Sequence, residues 1–255
     1  MLTVGLIQLF IHNGWRWLVV TGTLFGLTFF IDRTGVQKSE NIFEFIVTGG
    51  LTQHYLTLIV IPLLYFLLIV DFIPKIMASN VIYIRARSKV RLLFYFIVVH
   101  FAAAFTFSVL CFILFFISGW VQGMHVELSW DSAQFFYEEQ NPLTILTSLI
   151  TLYIVTLTSI GTFTMFISLR YFNSVIALGF GVFICLLSYI VWMIYPIRTM
   201  FKFTPIAQMM FFSLYPNKIS EQVENFTIDW SIRYNLIVLF ISIILMFIHI
   251  RKKQF

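Results

Sequence analysis

The chain has 255 residues, of which 60% are hydrophobic and 11% charged, and its mean hydropathy is +0.94. Soluble domains carry about 25% charged residues, so this composition excludes an ordinary water-soluble globule. The formal net charge of +5 is not a nucleic-acid signature in such a chain, because basic residues of membrane proteins gather in cytoplasmic loops.

At about 20 residues per crossing there is room for roughly six spans with short connections. Apolar runs bounded by polar segments place them at 15–31, 55–73, 92–120, 143–169, 174–195 and 235–250. The expected fold is an all-α integral membrane protein, residues 1–255 forming one transmembrane domain. Before the first span, Leu2, Leu6, Leu9 and Phe10 recur at helical spacing among polar residues, which predicts a short interfacial helix. The stretch from Met1 to Gly14 has no basic n-region and does not read as a cleaved signal peptide.

Arg16 precedes span one. Its first turn and the two alternate connections, together with the C-terminal tail, hold Arg16, Lys75, Arg85, Arg87, Lys89, Arg91, Arg170, Arg251, Lys252 and Lys253. The other connections hold Arg33, Lys38, Arg198, Lys202, Lys218 and Arg233, and all the acids except Asp71. The positive-inside rule then puts both termini in the cytoplasm, which an even number of spans requires.

Within span one, Gly22 and Gly26 form a small-x-x-x-small pair. Such pairs let helices approach closely, and two chains could meet there. Asp71 ends span two one turn before Lys75, which predicts an i,i+4 ion pair worth a few tenths of a kcal/mol. Span three is preceded by Arg85, Arg87, Lys89 and Arg91 in alternation with Ala86, Ser88 and Val90. These cations suit anionic lipid, at about 1 kcal/mol each, or an acidic groove on a cytoplasmic partner. His100 lies about 13 Å into span three with no carboxylate at its depth, and reads as a packed, neutral, hydrogen-bonded side chain.

Span four carries a hydroxyl stripe, Thr144, Ser148, Thr151, Thr158 and Thr162, within about 80° of one another. Such faces mediate helix packing in lipid and can also line a substrate path. Between spans five and six the apolar stretch Phe203–Tyr215, broken by Pro205, is too short to cross and too apolar for water. A re-entrant or interface-lying hairpin satisfies its backbone best.

Catalytic and nucleotide motifs are missing. There is no Gly-x-x-x-x-Gly-Lys-[Ser/Thr], no His-Glu-x-x-His and no Gly-x-Ser-x-Gly. Glu138–Glu139 reads as part of a solvated external loop, and Cys111 and Cys185 lie inside apolar runs, suggesting neither a disulfide nor a metal site. The expectation is a chain that is not itself an enzyme and binds no cofactor.

The layout resembles a known family. A basic loop, Ile82-Tyr-Ile-Arg-Ala-Arg-Ser-Lys-Val-Arg-Leu, separates spans two and three, and Phe203-Thr-Pro-Ile-Ala-Gln opens a partly inserted external segment. In these features the chain resembles the ABC-2-type permeases of bacterial ABC exporters. Within them it looks most like the small permeases that expel, or confer immunity to, amphipathic peptides such as lantibiotics and phenol-soluble modulins.

The resemblance implies a bacterial plasma-membrane protein in which two permease chains pair. Each would dock on a separate ATP-binding cassette subunit, which holds the ATP and Mg. Arg85, Arg87, Lys89 and Arg91 would couple the two, and an amphipathic peptide would pass near spans one, two and five. Two other classes stay open on the residues alone: a membrane enzyme acting on lipids or peptides, and a non-transporting scaffold or sensor.

Overall fold

The computed structural model describes residues 14–33, 41–47, 53–72, 88–127, 142–210, 223 and 226–252. All regular structure among them is helical. Six helices carry the architecture: α1 (Gly14–Arg33), α2 (Leu56–Ile69), α3 (Lys89–Val121), α4 (Pro142–Tyr171), α5 (Ser174–Met193) and α6 (Ile228–Lys252). Of these, α3, α4, α5 and α6 are long and apolar enough to cross a bilayer, and the chain is a membrane protein. The N-terminal interfacial helix expected before Gly14 lies outside the described residues, as do Glu138 and Glu139.

The helix ends have local causes. Ser88 caps α3 by accepting from the Arg91 N–H at 3.2 Å. At the other end Gly123 adopts φ +82°. Its N–H reaches the Trp120 carbonyl, and that of Met124 reaches Gly119, the paired bonds of a Schellman stop. At roughly 1.5 Å per residue, the 33 residues of α3 extend about 50 Å, well past a hydrocarbon core of about 30 Å. Its basic first turn therefore stands clear of the apolar region.

Phe172, with φ +51°, and Asn173, whose side chain caps Val175 and Ile176, turn α4 directly into α5. Helix α6 starts two turns before the expected Asn235. Thr227 accepts from the Trp230 N–H, and Asp229 sits in the first turn, where a carboxylate favours the helix dipole.

Helix α2 departs most from expectation. The continuous span predicted over 55–73 is a π turn, Leu56–Val60, running into an α-helix, Ile61–Ile69. Pro62 is the cause. It lacks an N–H and crowds the carbonyl one turn earlier, and the wider π turn makes room for it.

Helix α4 is the centre of the bundle, packed against α3, α5, α6 and α2. The stretch expected to form a re-entrant or interface-lying hairpin, 203–215, is described as far as Met210. The segment after α5 forms two 3-10 helices, Tyr195–Phe203 and Ile206–Met209. The second is wholly buried and contacts α2, α4, α5 and α6.

Candidate functional site

Polar groups gather in three places. The first is the end of the bundle where α1, α3 and α5 begin and α2, α4 and α6 finish. There Lys89 Nζ donates to the Arg251 carbonyl at 3.1 Å, tying the first turn of α3 to the last turn of α6. Arg91 is exposed beside it. Of the four cations expected to couple to a partner, the structure brings Lys89 and Arg91 to this surface together with Arg251 and Lys252. Arg85 and Arg87 lie outside the described residues.

At the same end Arg16 forms an ion pair with Asp71 and donates from Nη1 to the Leu67 carbonyl at 2.8 Å. Asp71 thus has a partner that the sequence did not suggest, a cation of α1 that lies 55 residues away. Lys75 itself lies outside the described residues. The Arg16 and Asp71 side chains are 11% and 23% exposed. The guanidinium also takes one of the carbonyls left over where α2 stops.

The second place is a polar layer in the interior. The Tyr65 hydroxyl of α2 lies 3.1 Å from His100 Nε2 and 3.2 Å from Nδ1. His100 is thus packed and hydrogen-bonded, at 2% exposure. Gly161 of α4 makes the space, since a Cβ there would collide with the His100 ring and come within 3.0 Å of Tyr65. Thr57, in the π turn, shares a 3.1 Å hydrogen bond with Tyr153 of α4. Asn235 of α6 bridges two hydroxyls of α4: Ser159 donates to its Oδ1 at 2.8 Å, and its Nδ2 donates to Thr156 at 2.9 Å.

The hydroxyl stripe predicted on α4 supplies none of these cross-helix bonds. Thr151, Thr158 and Thr162 each donate to the carbonyl four residues earlier in their own helix. Thr158 and Thr162 are buried, whereas Thr144 and Thr151 are exposed. Of the bonding hydroxyls, Ser159 borders the stripe and Thr156 lies farther round the helix, about 80° from the stripe's edge. No sequence pattern marked them, because their partner Asn235 is far away in the chain.

The third place is the hairpin end. Arg198 Nε donates to the Trp192 carbonyl at 2.9 Å, and its guanidinium lies 4.7 Å from the Trp192 ring centroid. The His54 ring stacks on Trp192 at 4.2 Å. Burial, and then the nearby Arg198 charge, lower the His54 pKa to about 4. Gln208, fully buried, holds the hairpin by donating to the Lys202 and Thr204 carbonyls at 2.7 and 3.1 Å. Trp230 and Tyr234 of α6 donate to the Lys202 and Phe203 carbonyls at 3.2 and 2.8 Å.

Among the described residues no three His, Cys, Asp or Glu side chains come together in a way that could hold a metal ion. The family described as "Protein of unknown function (DUF2705)" matches residues 2–255. The chain belongs to that family. No curated protein and no solved structure matches it. For this DUF2705 member, function has to be argued from the three polar regions themselves. The basic end offers a charged docking surface, the interior layer offers helix-to-helix bonds, and the hairpin end offers an amphipathic rim.

Proposed function

We propose that this chain is the transmembrane permease subunit of an ATP-driven ABC exporter of the ABC-2 type. In this reading it has six spans, α1 to α6, with both termini and the basic end in the cytoplasm. A separate ATP-binding cassette subunit supplies the nucleotide site with ATP and Mg. A second permease chain completes the passage, and the cargo is an amphipathic peptide.

The observation that carries the reading is the surface built where α3 begins and α6 ends. Lys89, Arg91, Arg251 and Lys252 are held together there by the Lys89–Arg251 bond. Four exposed cations on two adjoining helix ends suit an acidic partner better than they suit catalysis. Two further features support it. The hairpin Ile206–Met209 inserts among α2, α4, α5 and α6, as the resemblance implies for the segment between spans five and six. At Gly22 and Gly26 no other part of the described residues comes within 4 Å of where a Cβ would stand. That face of α1 is therefore open for a second copy.

The test is affinity purification of the tagged chain in mild detergent, beside a variant with Arg85, Arg87, Lys89 and Arg91 changed to Ser. A stoichiometric cassette ATPase should accompany the parent and be lost from the variant. A chain that purifies alone in both forms, without ATPase activity, would sink the proposal and favour the scaffold or enzyme classes.

A further inference from the structure

Beside the inserted hairpin, α4, α5 and α6 part to leave a groove of about 350 Å³ whose lining side chains are all apolar. Ile160 of α4, Phe183 and Leu187 of α5, Val238 and Ile241 of α6, and Pro205 of the hairpin border it. Its mouth opens sideways, since Phe183, Leu187 and Ile241 are exposed on the outer surface of the bundle.

The groove has a polar head. On α6, Trp230, Tyr234, Val238 and Ile241 follow one another at spacings of four, four and three, within about 80° of a common face and over about 16 Å. Val238 and Ile241 line the groove. Trp230 and Tyr234 hold the hairpin backbone at Lys202 and Phe203. The Lys202 ammonium stands 5.7 Å from the Trp230 ring centroid and 5.5 Å from that of Phe203. One stripe therefore leads from a cation among amphipathic aromatics into a purely apolar slot.

We propose that this is a binding site for one anionic phospholipid, with an acyl chain between α4, α5 and α6 and its phosphate at Lys202. A peptide fits less well: an extended one would find no partner on this lining for its N–H and C=O groups, and a helix, about 10 Å across with its side chains, is too wide for a slot of about 350 Å³. An acyl chain has no such groups. Leaving bulk lipid for an apolar slot gains no hydrophobic free energy, so retention rests on close contact and on the charge at the head. The inference rests on the membrane reading, not on the export reading, and survives if the latter fails.

The experiment places the full chain in nanodiscs of phosphatidylglycerol and phosphatidylcholine in equal amounts. A diazirine is carried on one acyl chain of either lipid, and cross-linked peptides are mapped after illumination. Label should concentrate on Phe180–Leu187 and Val238–Ile241 relative to the exposed pair Leu18 and Val19 of α1. Lys202→Gln should lower phosphatidylglycerol labelling of the groove about fivefold, the worth of one interfacial lysine, and lower phosphatidylcholine labelling less, because the choline cation offsets the phosphate charge that both lipids carry. Val238→Trp should block both lipids. Ile241→Trp, at a more exposed position, repeats the block, and the thermal midpoint of each variant confirms folding. Groove labelling equal to that at Leu18 and Val19, or indifferent to all three substitutions, would overturn the site. So would displacement of the label by an amphipathic helical peptide with no headgroup dependence.

Discussion

Gly161 shows how a single position sets the interior. A Cβ there would collide with the His100 ring, which must then shift, and overpacking of this kind costs about 1–3 kcal/mol. Gly161→Ala should therefore lower the thermal midpoint of the detergent-solubilised protein. Adding His100→Ala should restore most of the loss, because the obstructing ring is gone. Gly179→Ala, in the adjoining helix and with nothing within 4 Å, should be neutral or slightly stabilising, since Ala is the better helix former. An unchanged midpoint for Gly161→Ala would mean that the Tyr65–His100 contact does not form. The sequence showed His100 as a lone buried imidazole. It did not show Tyr65 or Gly161, which meet it from other helices.

His54 stacks on Trp192 at the end of α5 beside Arg198, and this junction predicts a pH dependence. Burial, and then the Arg198 charge, lower the His54 imidazole from its ordinary pKa near 6.5 to about 4 in the folded state. Between those values the unfolded chain binds more protons than the folded one, so stability rises with pH. The contribution is present above about 6.5 and is lost as pH falls toward 4. Below 4 this group adds no further slope. Thermal midpoints measured from pH 7 to pH 4 should fall, and His54→Gln should flatten that part of the profile. A variant as steep as the parent would exclude His54 as the cause. The apolar run and Pro205 were enough to predict a re-entrant element. Its anchors, Trp230 and Tyr234 of α6 on the Lys202 and Phe203 carbonyls, join parts of the chain that no local pattern relates.

Across the whole molecule, the described charges divide by end. Arg16, Lys89, Arg91, Arg170, Arg251 and Lys252 stand at one, with Asp71; Glu44, Glu127, Asp229, Arg198, Lys202 and Arg233 stand at the other. This asymmetry predicts opposite exposure of two accessible positions, Ser88 and Thr227. Ser88→Cys should react with a membrane-impermeant maleimide only in inverted vesicles, and Thr227→Cys only in intact cells. The native Cys111 and Cys185 are buried and should stay silent. Labelling of both introduced thiols from one side would refute the six-span topology.

The sequence by itself determined that the chain is helical and built for a membrane. Hydropathy is summed over neighbouring residues, so runs such as 92–120 and 174–195 declare themselves without knowledge of their partners. It also located the basic turn before α3 and the apolar character of the segment after α5, which depend on local composition. Only the tertiary structure decided that Asp71 pairs with Arg16, that Asn235 joins Thr156 to Ser159, and that α6 carries the hairpin rim down to a lateral groove. Each of these is a contact between segments far apart in the chain. In an apolar environment many helix faces look alike, and which faces meet is fixed by small residues, kinks and a few polar bonds rather than by hydropathy.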